Sequence, residues 1–74
     1  MKNYEEILKQ IDNYLEKNKR IIIKKENLAE LIGKEISKFD YYKIAYYVLN
    51  KYSNKKEYNI LFITKSIFMI EKIN

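Results

Sequence analysis

An α+β fold, mainly helical, is what this 74-residue chain predicts: three helices, a short strand after the first, and a C-terminal β-hairpin. Three observations carry that expectation. Apolar residues recur at helical spacing over residues 3–18, 26–35 and 37–52. A β-branched run, Ile21-Ile22-Ile23, has no helical period of its own. Two segments rich in Ile, Phe and Tyr close the chain on either side of Thr64-Lys65.

The elements follow in order. Tyr4, Ile7, Leu8, Ile11, Tyr14 and Leu15 form one stripe of a 3.6-residue repeat, so residues 3–18 read as an amphipathic helix. Asn3 with Glu6 fits a capping box, Glu5 and Glu6 suit the positive end of the helix dipole, and Asn18 is the expected stop. Residues 20–24 are the short strand. The second helix turns Leu28, Leu31 and Ile32 inward and ends near Gly33, the only glycine. Ser37 opens the third helix, with Asp40 in the capping position. On a helical wheel Tyr41, Ile44, Ala45, Val48, Leu49 and Tyr52 gather inward, while Phe39, Tyr42, Lys43, Tyr46 and Asn50 face out with Tyr47 at the flank. After a polar connector, residues 58–63 and 66–73 are the hairpin. A helix over residues 60–73 is the competing reading; the β-branched Ile60, Ile63, Thr64, Ile67, Ile70 and Ile73 argue against it.

Length leaves room for one domain, residues 1–74. A chain this short buries only about 60% of its unfolded surface, so its core is thin unless a partner supplements it. There is no His and no Cys, and Arg20 is the only arginine, which removes most acid–base, nucleophile and metal-ligand chemistry. Glu26 and Glu30, one helical turn apart, have no partner base and read as surface charge. The expectation is a non-enzymatic binding protein with no metal and no cofactor. The charged start, Met1-Lys2-Asn3-Tyr4-Glu5-Glu6, lacks a signal-peptide core, and no apolar run approaches the ~20 residues that span a bilayer, so a soluble, cytoplasmic chain is expected.

A net charge of +5 suits an anionic partner. Abundance by itself is poor evidence, because Ile, Lys, Asn and Tyr fill 43 of 74 positions, a bias of the kind AT-rich coding produces. Position must decide. Lys17, Lys19, Arg20, Lys24 and Lys25 put five positive charges and no negative one into nine residues. They read either as a phosphate-binding patch or as a solvated connector that blunts a strand edge. Strand alternation would split Lys24 from Lys25.

The stretch Leu28-Ala29-Glu30-Leu31-Ile32-Gly33, within the element order above, resembles the winged helix-turn-helix family. There a small residue lets the second helix cross closely, and a glycine four positions later makes the turn. Ala29 and Gly33 match that spacing. Lys34 and Glu35 then depart from the usual apolar residue after the glycine, and the apolar position arrives at Ile36, as if the turn were two residues longer.

The resemblance implies a DNA-binding protein, a transcriptional regulator whose third helix enters the major groove and whose hairpin is the wing. Carried over, the DNA-binding residues are Ser37, Lys38, Phe39, Tyr42, Lys43 and Tyr46, with Lys24, Lys25 and Lys65 beside them. Asn50 lies late for base contact, and Thr64-Lys65-Ser66 makes a very short wing tip. Phe39, Tyr42 and Tyr46 are also what a protein-docking surface carries, so a subunit or inhibitor that docks through this face is the alternative. A third possibility is RNA or single-strand binding by Tyr stacking. The hairpin has apolar residues on both faces, so dimerisation is expected as well.

Overall fold

The computed structural model describes residues 4–73. The order is α1 (Tyr4–Asn18), β1 (Arg20–Ile23), α2 (Lys25–Ile32), α3 (Lys38–Ser53), β2 (Tyr58–Phe62) and β3 (Phe68–Lys72). This is the expected α+β order of helix, strand, two helices and two strands. The strands form one antiparallel sheet in the order β1-β3-β2, so the last strand lies in the middle and joins the chain's two halves.

Each element ends for a local reason. Asn3 and its cap lie outside the described residues. At the far end of α1, Lys19 takes a left-handed conformation, φ 70°, and its N–H donates to the Leu15 carbonyl at 2.9 Å. The strand that follows stops at Ile23 rather than at residue 24, because Lys24, still extended, already serves as the N-cap of α2. That helix begins one residue early and ends at Ile32, short of the expected residue 35. Gly33 is the cause: at φ 91° it reverses the chain, and the N–H groups of Gly33 and Lys34 both donate to the Ala29 carbonyl, at 2.9 and 3.1 Å. The Lys34 bond is the six-to-one bond of a Schellman cap. Five residues, 33–37, then link α2 to α3, and Ile36 is buried within them. This is the longer turn that the placement of Ile36 implied. Ser37 caps α3 as expected, its hydroxyl oxygen accepting the Asp40 N–H at 3.0 Å.

The hairpin replaces the competing helix, with shorter strands and a longer loop than expected. Ile63 and Thr64 both donate their N–H to the Ile67 carbonyl, at 2.8 and 3.0 Å, and Ser66 N–H reaches Thr64 Oγ1 at 3.3 Å. These bonds curl residues 63–67 into a loop and take Ser66 and Ile67 out of the strand. No Asn-Gly or Asp-Gly pair is present to make a two-residue turn.

One core unites the layers. Ile7, Ile11 and Leu15 of α1 and Leu28 of α2 meet Tyr41, Ile44, Ala45, Val48 and Tyr52 of α3 over the inner face of the sheet, Ile21, Ile23, Phe68 and Ile70. Leu8, Leu31, Ile32 and Leu49 were expected fully inside but are only half-buried at its border, as is Ala29. The difference follows from size, since a three-stranded sheet is too narrow to cover the whole apolar stripe of each helix. Tyr52 fastens α3 to α1 by donating its hydroxyl to Asp12 Oδ1. Burial, reinforced by that carboxylate, pushes the Tyr52 hydroxyl well above the usual tyrosine range. Lys72 of β3 meets Glu16 of α1 at 2.6 Å, and the pair lowers the Glu16 pKa and raises that of Lys72. Among the described residues no helix is long and apolar enough to cross a membrane.

Two backbone positions give opposite expectations. A Cβ on Gly33 would meet no atom within 4 Å, yet φ 91° strains any side chain, so Gly33→Ala should lower stability by about 1 kcal/mol. Lys19→Gly should relieve the same strain at α1 and raise stability by a few tenths to about 1 kcal/mol. Urea midpoints of the two variants, read by circular dichroism, should shift in opposite directions.

Candidate functional site

The face of α3 turned away from the core is set by its period. Tyr41, Ile44, Ala45, Val48 and Tyr52 take the inward stripe, which leaves Lys38, Phe39, Tyr42, Lys43, Tyr46 and Asn50 outside. The aromatic rings there are bare: Phe39 is 69% exposed, Tyr46 67% and Tyr42 46%. Along the helix the Lys43 ammonium lies over the Phe39 ring, 4.9 Å from its centroid, a cation–π contact that holds both side chains on the surface. Asn50 sits a turn beyond Tyr46, and its carbonyl accepts the Asn54 side chain at 3.0 Å.

Tyr41 holds this face to the rest of the molecule. Its hydroxyl lies 2.9 Å from the Ile23 carbonyl at the end of β1 and also reaches the Ser66 carbonyl in the hairpin loop. A phenol has one hydrogen to give, so the two carbonyls share it. Burial, with smaller contributions from Tyr42 and Glu26, pushes the Tyr41 hydroxyl up to about 12. Through this one group the end of β1, the start of α3 and the hairpin loop are drawn to the same place.

The lysines follow. Lys24 and Lys25, which strand alternation would have separated, are instead the N-cap and first residue of α2. They share a depression of about 240 Å³ with Lys38, Tyr42 and Ser66; Glu26 is the acid within it. Tyr42 is also a wall of a second depression, about 130 Å³, between α3 and the hairpin, where Tyr46, Phe62 and Lys65 meet. Six of the expected site residues, Lys24, Lys25, Lys38, Tyr42, Tyr46 and Lys65, therefore form one connected surface with Tyr42 at its centre. Phe39 and Lys43 extend it along the helix. Ser37 stands at its edge, one lone pair of its oxygen engaged in the helix cap, which leaves its hydroxyl hydrogen and a second lone pair for a further partner.

The basic run from Lys17 to Lys25 is not one patch. The extended β1 carries the chain about 13 Å, at ~3.3 Å per residue, from Arg20 to Lys24. Arg20 pairs with Glu71 at 3.1 Å on the neighbouring strand, at the far end of the sheet from the hairpin loop. Lys24 and Lys25 alone of the run join the α3 surface. Among the described residues the ion pairs are Arg20–Glu71 and Lys72–Glu16, and Lys24, Lys25, Lys38, Lys43 and Lys65 take part in neither.

Phe62 belongs to this surface and was not among the expected site residues, and Ser66 was expected only as part of the wing tip. Phe62 was within reach, since alternation puts it on the same sheet face as Tyr58 and Ile60. The role of Ser66 was not, because it acts through its carbonyl, a group every residue has. Among the described residues no group of His, Cys, Asp or Glu is placed to hold a metal ion. No family model, curated protein or solved structure matches the chain.

The Tyr41 bridge yields a prediction with two readouts. Tyr41→Phe leaves the buried carbonyls without their donor and should cost about 1–2 kcal/mol. In the native protein the neutral hydroxyl persists to about pH 12, whereas an unfolded tyrosine ionises near 10. Its contribution is thus complete below about pH 10 and is lost as pH rises toward 12. Thermal melts over that range should show an alkaline decline that is shallower in Tyr41→Phe, with the Tyr52 part persisting.

Proposed function

We propose that this is a small DNA-binding protein of the winged helix-turn-helix kind, a transcriptional regulator acting in the cytoplasm without a cofactor. It contacts duplex DNA through the outer face of α3. The observation that carries this reading is the gathering of Lys24, Lys25, Lys38, Lys43 and Lys65 around the first half of one exposed helix, all outside the ion pairs of the described residues. With its side chains the segment Lys38 to Tyr46 of α3 is about 10–12 Å across, which suits a B-DNA major groove about 12 Å wide. The lysines beside that segment would neutralise phosphates, while Tyr42 and Tyr46 meet thymine methyls or phosphate oxygens. The loop of residues 63–67 adds Lys65, a backbone contact rather than a reader of sequence.

A second reading rests on a separate feature, the exposure of Phe39, Tyr42, Tyr46 and Phe62 around the depression between α3 and the hairpin. Four large rings on one surface suit a protein partner, which would take them as the apolar centre of its interface.

Two measurements separate the readings. Binding to duplex DNA should weaken steeply with salt, with a log–log slope of roughly −4 to −5 for five neutralised phosphates. Lys43→Ala should weaken binding to all duplexes and reduce that slope by about 1. Tyr46→Ala should matter less; neither variant should lose more than ~1 kcal/mol of stability. An affinity indifferent to salt, with Tyr46→Ala abolishing a protein contact while Lys43→Ala leaves it intact, would favour docking instead.

A further inference from the structure

The inner face of the hairpin is covered unevenly. Tyr58 and Ile60 of β2 pack against the core and are half-buried, whereas Phe62, farther along the same face, is 54% exposed. Its partner across the ladder is the buried Phe68, and the two rings lie 5.5 Å apart, tilted by 44°. Between this end of the sheet and α3 lies the depression of about 130 Å³. The buried Ala45 and Phe68 line its depth, and the exposed rings of Tyr42, Tyr46 and Phe62 surround its mouth. A cavity of ~150 Å³ takes one benzene ring, so this cleft has room for a single six-membered ring and not for a fused pair.

Positive charge borders the cleft. Lys65 and Ser66 close it on the loop side, and Lys24, Lys25 and Lys38 line the adjoining depression, which shares Tyr42 and Ser66 with it. Glu26 is the one acid lining either depression. The remaining acids near α3 and the hairpin lie elsewhere. Asp40 sits ~160° around the helix from Tyr42, at ~100° per residue. Glu35 lines a separate hollow beside Gly33 and Lys34. Glu57, with Lys55 and Lys56, is at the other end of β2, about 17 Å from Phe62 at ~3.3 Å per residue. A protein partner accounts poorly for a ring-lined cleft bordered by lysines, because lysine is depleted at the centre of protein interfaces. A paired duplex accounts for the lysines but not for the cleft, since its bases present their edges in the grooves while their faces stay stacked. A base fills a slot between aromatic rings once it has left its stack.

We propose that this cleft seats one unpaired pyrimidine of single-stranded DNA, stacked against the Tyr42, Tyr46 and Phe62 rings. The flanking phosphates lie on Lys65 and on the lysines of the adjoining depression. This rests on the reading of the surface as a DNA site and departs from it in the state of the strand. Stacking is tolerant of sequence, because every base has a π-face, so the selection here is by ring size. The cleft needs little ordering on binding. Tyr41 holds the loop that carries Lys65 through the Ser66 carbonyl, and Phe68 backs the Phe62 ring.

Fluorescence anisotropy on the intact chain tests it, with strands of about 12 nucleotides, within the ~4–16 usual for such sites. At one salt concentration oligothymidine should bind about tenfold or more tightly than an abasic strand of equal length and charge. One central thymine in the abasic strand should restore more of that affinity than one central adenine. Phe62→Ala should remove most of the advantage of oligothymidine, while the abasic strand, held by the lysines, binds as before with the same salt slope. Equal affinity for oligothymidine and the abasic strand would overturn the proposal, as would an adenine that restores as much as thymine. If a duplex of the same length still binds with steep salt dependence, the duplex reading of α3 survives that failure. Oligothymidine bound as described, with no affinity for the duplex, would support the cleft and sink the duplex contact. Should Phe62→Ala unfold, ring-proton shifts of the unmodified chain decide. The Tyr42, Tyr46 and Phe62 rings should shift with oligothymidine and not with the abasic strand; shifts confined to other rings would overturn the assignment.

Discussion

A single phenol hydrogen holds the working end of this molecule together. Tyr41 sits in the first turn of α3, on the buried stripe, and its hydroxyl lies between the carbonyl that ends β1 and a carbonyl of the hairpin loop. Segments 18 and 25 residues away from it in sequence thereby converge. A buried hydroxyl needs a partner, and a loop carbonyl facing the interior needs a donor, so each group stabilises the placement of the other. The depression lined by Lys24, Lys25, Lys38 and Ser66 lies over this junction.

The opposite end of the molecule is fastened by charge and by a second tyrosine. Tyr52, on the same stripe of α3 and three turns farther on, donates to Asp12, while Lys72 pairs with Glu16 and Arg20 with Glu71. The two exposed ion pairs contribute little stability in water. They engage Arg20 and Lys72, whereas Lys24, Lys25, Lys38, Lys43 and Lys65 take part in neither ion pair of the described residues.

The surplus of exposed aromatic and aliphatic side chains has two separate locations. Phe39, Tyr42 and Tyr46 belong to the outer face of α3, whereas Leu61, Phe62 and Ile63 belong to the edge strand. Phe62 touches both regions: it lies at the mouth of the depression beside α3 and packs its ring 5.5 Å from that of Phe68. A domain of this size has too little sheet to cover its own apolar residues.

The order of elements, the inward stripes of α1 and α3, the Ser37 cap and the left-handed Gly33 were legible in the sequence, because each depends on residues within a turn or two of one another. So was the membership of the outer face of α3, from Lys38 to Tyr46, since a helix presents its faces by period alone. Tertiary structure decided the rest. That Lys24 and Lys25 join Lys38 while Lys17, Lys19 and Arg20 do not depends on where a four-residue strand ends and on Glu71, 51 residues beyond Arg20. The shortening of the hairpin strands depends on the loop bonds to Ile67 and on Tyr41 reaching the Ser66 carbonyl. Which strand becomes the bare edge depends on β3 inserting between β1 and β2, a choice made by cross-strand pairing. Periodicity reports which side of an element is apolar. It carries no information about which other element meets that side, because that is settled by contacts between residues far apart in the chain.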